Sequence, residues 1–89
     1  MTASYKLKKN PKMVVITFKD GETKSANIIN FTTFDHCEIV QEKKKFIVRA
    51  YTKNGFSQPM RLYTMEQAQF AKKFTEKVIA ELNEKCRIV

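Results

Sequence analysis

The chain has 89 residues, a length that supports one hydrophobic core but not two, so the sequence predicts a single domain spanning residues 1–89. Its hydrophobic content of 43% argues against wholesale disorder, and two glycines and two prolines leave little material for long flexible linkers. The formal net charge of +8 is typical of a protein with a polyanionic partner, and equally of a soluble basic surface without one.

The sequence also bears on cellular location. No apolar run approaches the ~18 residues that a membrane span needs, and residues 1–12 carry lysines without the apolar region of a secretory signal. Cys37 and Cys86 belong to no CxxC pattern, which favours two reduced thiols over a disulfide. We therefore expect a cytoplasmic protein with no integral membrane association.

The first elements in chain order are an arm and two strands. Residues 1–11 are predicted to form a basic N-terminal arm, in which the alternation of Tyr5 and Leu7 with polar residues makes part of it a candidate edge strand. Residues 12–19 are rich in β-branched side chains and apolar on both faces, which predicts a strand in the middle of a sheet or in a barrel wall. Asp20-Gly21 predicts a type I′ turn, and a second strand is expected over residues 22–30.

The middle of the chain has a weaker pattern. Residues 30–36 lack periodicity and are predicted to be a connection whose two phenylalanines point inward. A third strand is expected over residues 37–42. It ends at the lysine cluster of residues 43–45, which is predicted to be a turn.

Two further strands, over residues 45–52 and 56–63, are predicted to form a hairpin around Lys53-Asn54-Gly55. Glycine at the third loop position is typical of a three-residue hairpin loop closed by a left-handed glycine. Since Pro59 cannot donate a backbone hydrogen bond, its strand is expected at a sheet edge or with that position facing outward. This loop predicts four opposite pairs: Thr52 with Phe56, Ala50 with Gln58, Val48 with Met60 and Phe46 with Leu62.

The remaining residues predict one long helix, over about residues 65–85. Thr64 and Gln67 fit a capping box, as the N-cap and N3 residues. An apolar stripe follows at helical spacing and contains Ala68, Ala71, Phe74, Thr75, Val78, Ile79 and Leu82. Candidates for a homodimer contact are Phe70, beside this stripe, and the terminal Ile88-Val89.

These elements predict an α+β fold. We expect a strongly bent, five-stranded antiparallel sheet or partly open barrel, closed by one long C-terminal helix. The order of elements resembles that of pleckstrin-homology-like and other small-barrel folds at the level of topology. No family motif accompanies the resemblance.

The basic residues are unevenly distributed along the chain. Residues 43–63 contain six bases and no acid, and the predicted hairpin collects bases and tyrosine rings on one face. Bases bind phosphates, and planar rings stack on nucleobases with a gain of ~1–3 kcal/mol per base. A solvated outer face with no ligand is the competing interpretation. The predicted nucleic-acid-binding residues are Lys45, Arg49, Tyr51, Arg61 and Tyr63 on that face, Lys43, Lys44 and Lys53 from the same stretch, and Lys8 and Lys9 from the arm.

Lysine dominates the basic residues, with 14 of the 17. A lysine ammonium is a point charge that suits phosphate, whereas bidentate base reading favours arginine. The sequence therefore predicts a small DNA- or RNA-binding protein, mainly independent of sequence. The alternative is a protein–protein interaction or regulatory accessory module that binds an acidic protein surface, or a peptide along an edge strand. An anionic membrane surface is a third candidate partner.

Catalytic signals are weak. The sequence has neither a phosphate-cradling glycine loop nor a paired-carboxylate pattern, so we predict no enzymatic activity and no cofactor. The run from Asp35 to Glu38, which includes His36 and Cys37, offers four potential metal ligands. Because adjacent residues of an extended chain point to opposite sides, no metal site is predicted there.

Overall fold

The computed structural model describes residues 1–8, 13–53, 55, 57–62 and 64–87, and of residues 23, 57, 58, 86 and 87 the backbone alone. The described elements form two three-stranded antiparallel sheets, with the orders β1-β2-β3 and β4-β5-β6, followed by one helix. Their bounds are β1 (Thr2–Lys8), β2 (Met13–Asp20), β3 (Thr23–Ile29), β4 (Phe34–Glu42), β5 (Lys45–Thr52), β6 (Ser57–Leu62) and α1 (Met65–Arg87).

The α+β class, the antiparallel pairing and the C-terminal helix are confirmed, but the prediction of five strands in one sheet is wrong, because the described strands number six, lie in two sheets and do not close into a barrel. Residues 2–8 form a full strand that pairs with β2 along its whole length. The described strands divide into two sheets because β3 comes close to β6 without sharing a hydrogen-bonded ladder with it. Helix α1 contacts both β4 and β1, and so covers the opening on the other side.

The turn between β2 and β3 is displaced from its predicted position. The loop consists of Gly21 and Glu22, and only Gly21 has a positive φ, of 61°. This is the arrangement expected of a type II′ turn, which requires glycine at its first central position. A type I′ turn centred on Asp20-Gly21 places Glu22 opposite Lys19, whereas the observed register places Lys24 there.

The hairpin of β5 and β6 has the predicted register. Gly55 has a φ of 80°, and its amide donates to the carbonyl of Thr52 at 2.9 Å, as a left-handed closing glycine requires. Pro59 is exposed, and among the described strands β6 pairs only with β5. The predicted pair of Thr52 and Phe56 lies outside the described residues. Three predicted pairs are confirmed: Phe46 with Leu62, Val48 with Met60 and Ala50 with Gln58.

The hydrophobic core lies between the inner faces of the two sheets and the apolar stripe of α1. Phe31, from the connection between the sheets, is buried as predicted, and Phe34 packs at the edge of the core. The carbonyl of Phe31 accepts a hydrogen bond from Asn83 Nδ2 at 3.0 Å, which fastens the C-terminal half of α1 to this connection. The largest fully buried side chains are Val14, Ile16, Val48, Met60, Thr75 and Ile79.

Helix α1 begins with the predicted capping box. The amide of Gln67 donates to Thr64 Oγ1 at 3.1 Å, and the amide of Thr64 donates to Gln67 Oε1 at 3.3 Å. The Gln67 side chain also donates to the Asp20 carboxylate, which ties the start of α1 to the β2–β3 turn. The predicted apolar stripe is buried, except that Phe74 is half-buried. No helix in the described part of the chain combines the length and the apolarity that crossing a membrane requires.

Candidate functional site

The outer surface of the second sheet, which we call the hairpin face, is formed by alternate residues of β4, β5 and β6. Its β5 and β6 residues include Arg49, Tyr51 and Arg61, which share this face as predicted. Ile47 lies opposite Arg61 and is only 3% exposed, although it faces away from the core of the protein. The hairpin face is therefore not a uniformly solvated surface.

Strand β4 adds acidic residues to the hairpin face. Glu38 lies opposite Arg49, and Glu42 lies opposite Lys45. Cross-strand pairs of opposite charge stabilise a sheet by roughly 0.2–1 kcal/mol each. The absence of acids between residues 43 and 63 therefore does not make the middle of this face uniformly basic, because the third strand supplies them.

His36 lies between two carboxylates on β4. Its Nδ1 is 2.6 Å from Asp35 Oδ2, and its Nε2 is 3.1 Å from Glu38 Oε1. The predicted alternation of adjacent side chains holds for His36, Cys37 and Glu38 but not for Asp35, because a bulge between Phe34 and His36 interrupts it. The hydrogen bond to Asp35, and then that to Glu38, raise the pKa of His36, which favours the imidazolium form.

Tyr51 is engaged by the same histidine. The two rings are stacked, with their centroids 4.9 Å apart and their planes inclined by 16°, and Tyr51 is half-buried. One face of the Tyr51 ring is thus covered by His36 and not accessible to a nucleobase. The second predicted stacking residue, Tyr63, lies outside the described residues, as does Lys9.

The end of the hairpin face, where β4 turns into β5, contains an open concavity of about 450 Å³ that we call the lysine-turn cavity. Lys43 and Lys44 form the two-residue turn, and Lys43 has a φ of 55°. This left-handed conformation costs a non-glycine residue roughly 1–2 kcal/mol, and such strain is concentrated at functional sites. The cavity is lined by Glu42, Lys43, Lys44, Lys45, Ile47 and Arg61.

The predicted binding residues do not form one cluster. Lys53 is exposed at the other end of β5 from the lysine-turn cavity, and eight residues of strand span roughly 25 Å. Its amide donates to the carbonyl of Thr33 at 2.8 Å. Lys8 is the last residue of β1 and belongs to the first sheet. Only Lys43, Lys44, Lys45 and Arg61 line the same cavity.

The outer face of the first sheet is a second basic surface, which the sequence analysis missed. Lys19 lies opposite Lys24 on β3 and opposite Thr2 on β1. Lys6 and Lys8 are exposed on the same face. Among the described residues of β1 to β3, no acidic side chain shares this face, because Asp20 is directed to the side where α1 begins. The pairing of β1 with β2 and the register of the β2–β3 turn together define this surface.

In the described part of the chain, neither a buried reactive group nor a metal site competes with these two basic surfaces as the functional site. Cys37 is a free thiol in the core, and burial raises its pKa to about 12, so it stays protonated at neutral pH. No three or more His, Cys, Asp or Glu side chains of the described residues are arranged to hold a metal ion.

Comparisons with protein-family models, with curated proteins and with solved structures returned no match. The functional argument therefore depends on the geometry and charge of the surfaces described above.

Proposed function

We propose that this protein binds nucleic acid through the phosphate backbone, without base-specific contacts and without catalysis. The observation that carries the proposal is the lysine-turn cavity, in which three consecutive lysines and Arg61 outnumber the one acid, Glu42, around a single concavity. Lysine ammonium groups suit phosphate as point charges, and a guanidinium binds two phosphate oxygens at once. The strained φ of Lys43 supports a binding role, because a glycine there would avoid the strain.

The middle of the hairpin face is left out of the proposed contacts. Arg49 lies opposite Glu38 and does not line the lysine-turn cavity. Tyr51 is stacked on His36 and presents at most one ring face. The proposal therefore moves the predicted interface from the whole hairpin face to its lysine-turn end.

A salt-titrated binding assay tests this proposal. Fluorescence anisotropy would be measured with labelled single-stranded DNA, single-stranded RNA and duplex DNA at about 50 mM salt, where phosphate contacts are strongest. Lys44→Ala combined with Arg61→Ala should weaken binding several-fold. Two lost contacts should also reduce the slope of log K against log salt by about 1.4 on a single strand.

Two matched variants serve as controls. Lys73→Ala combined with Lys77→Ala removes the same charge from the exposed side of α1 and should leave the affinity nearly unchanged. Arg49→Ala should have a smaller effect than Arg61→Ala. Absence of wild-type binding at about 50 mM salt, or an equal loss in the helix variant, contradicts the proposal.

One observation favours the alternative of a protein-interaction module. Strand β1 pairs only with β2 among the described strands, and its Tyr5 and Leu7 are 42% and 48% exposed. An extended acidic peptide that adds to this edge would contact both side chains and the neighbouring Lys6 and Lys8. Capture of one acidic partner that resists nuclease, is lost with Leu7→Lys and protects β1 amides from hydrogen exchange supports this alternative.

A further inference from the structure

The first sheet contains a pair of like charges that does not contribute to the stability of the sheet. Lys19 and Lys24 lie directly opposite each other on β2 and β3, and both are exposed. Like charges in this relation destabilise a sheet. Among the described residues of β1 to β3, no carboxylate shares their face, and Glu22 in the adjacent turn forms no ion pair with either lysine. An anion bound between the two ammonium groups would offset the repulsion.

The surroundings of this pair suit a phosphate group. Ser4 lies opposite Thr17 in the next row of the same face, so hydroxyl groups stand beside the two ammonium groups. Hydroxyls donate hydrogen bonds to phosphate oxygens, and ammonium groups add charge-assisted bonds. These residues line an open concavity of about 280 Å³, together with Thr2 and Ala3.

We propose that Lys19 and Lys24, with the hydroxyls of Ser4 and Thr17, form a second phosphate-binding site for the nucleic-acid strand held at the lysine-turn cavity. This inference rests on the proposed function and extends its contacts from the second sheet to the first. The protein then holds one strand at two places, and its affinity depends on the length of that strand.

Arg61 connects the lysine-turn cavity with the edge of the first sheet. It lines the lysine-turn cavity and also a smaller concavity of about 60 Å³ at the seam between β3 and β6. Ser25 and Asp20 also line that smaller concavity, on the face of the first sheet opposite to Lys24, and the Asp20 carboxylate accepts a hydrogen bond from Gln67 there. Strands β3 and β6 are neighbours at the seam. A backbone that leaves the lysine-turn cavity past Arg61 therefore reaches β3, which has Lys24 on its outer face.

The test compares strand lengths in three double variants. Anisotropy would be measured with single strands of about 6 and about 20 nucleotides, which bracket common single-strand site sizes. Lys19→Gln with Lys24→Gln should lose several-fold affinity for the long strand and none for the short one. Lys44→Ala with Arg61→Ala should lose affinity for both. The matched control, Lys73→Gln with Lys77→Gln, removes two charges from the exposed side of α1 and should change neither.

Thermal unfolding shows whether the lysine-pair variant is intact. Because it relieves a repulsion, its Tm should equal or exceed that of the wild type. Wild-type binding that this variant leaves unchanged at both lengths overturns the second site while leaving the proposed function in place. An equal loss in the Lys73 and Lys77 control overturns it as well, since the effect is then one of net charge.

Anionic vesicles distinguish a lipid phosphate from a nucleic-acid phosphate. Phosphatidylserine mixed with phosphatidylcholine would be sedimented with the wild type and the lysine-pair variant. Vesicle binding that the variant loses, with oligonucleotide binding unchanged, overturns the inference. A wild type that binds no strand of either length refutes the proposed function, and the second site as a nucleic-acid contact with it.

Discussion

Thr75 is the clearest opportunity to stabilise this protein. Its side chain is fully buried in the apolar stripe of α1, and its Oγ1 has no hydrogen-bond partner. A buried hydroxyl without a partner costs about 1–3 kcal/mol of stability, because it loses its bonds to water on folding. Thr75→Val replaces the hydroxyl with a methyl group of similar volume and removes this cost.

The expected gain in the free energy of unfolding follows from the removal of this buried hydroxyl. Valine and threonine have similar helix propensities, so the backbone contributes little to the difference. The free energy of unfolding should rise by about 1–3 kcal/mol, which corresponds to an increase in Tm of roughly 5–20 °C for a domain of this size. Thr75→Ser keeps the hydroxyl and removes the methyl group, so it should lose about 1 kcal/mol through the cavity it leaves.

Urea unfolding followed by circular dichroism, with a thermal scan of each variant, measures both effects. An unchanged or lower midpoint for Thr75→Val refutes the reasoning, because it means that the hydroxyl has a partner in solution. A stability that decreases from Thr75→Val to the wild type and then to Thr75→Ser supports the reasoning.

The remaining predictions concern a turn, a helix cap and a titrating group. Lys43→Gly should raise the free energy of unfolding by up to about 1 kcal/mol, because glycine adopts the positive φ without strain. Lys44→Gly should not raise it, since Lys44 has no positive φ, and equal urea midpoints for the two variants would contradict this explanation. Thr64→Ala should cost about 1 kcal/mol by removing the N-cap, with Thr64→Ser close to the wild type in the same assay. The folded-state pKa of His36 is raised above 6.5, so its ion pairs stabilise fully below that pH and lose their effect as the pH rises through the folded pKa. The Tm difference between the wild type and His36→Gln should therefore be largest below pH 6.5 and shrink as the pH is raised above it, and a constant difference would argue against the ion pairs.

Local signals tied to a geometric requirement were predicted from the sequence. Gly55 suits a three-residue hairpin loop, and this loop was preferred to a two-residue Asn-Gly turn because it separates apolar from charged residues, which predicted the β5–β6 register. The spacing of Thr64 and Gln67 likewise located the start of α1. In both cases one residue type satisfies one geometric requirement.

The β2–β3 turn was misplaced because periodicity does not distinguish its two registers. A turn at Asp20-Gly21 and the observed turn at Gly21-Glu22 both direct Asn27 and Ile29 inward, since the pairing differs by two residues and the side-chain period is two. The choice between them decides whether Glu22 or Lys24 lies opposite Lys19. The pairing of Lys19 with Lys24 could therefore not be predicted from the sequence.

Strand β1 and the acids of the hairpin face were missed for different reasons. Nearly all residues of β1 are exposed, so its alternation carries little burial signal. Glu38 and Glu42 were assigned to a strand, but the lysine turn contains no glycine or proline that would fix the pairing of β4 with β5. The separation of charged from apolar residues along one hairpin does not predict the charge of a face to which a third strand also contributes residues.

The division into two sheets also bears on the order of folding. Each sheet is an up-and-down meander of three strands that are neighbours in the sequence, so each can form through short-range loop closure. Their inner faces meet beneath α1, which follows both in the chain and is fastened to them by Gln67 at Asp20 and by Asn83 at Phe31. During synthesis, both meanders emerge before α1 and expose their apolar faces until it docks. Chaperone binding to this nascent chain should therefore end when the helix has emerged.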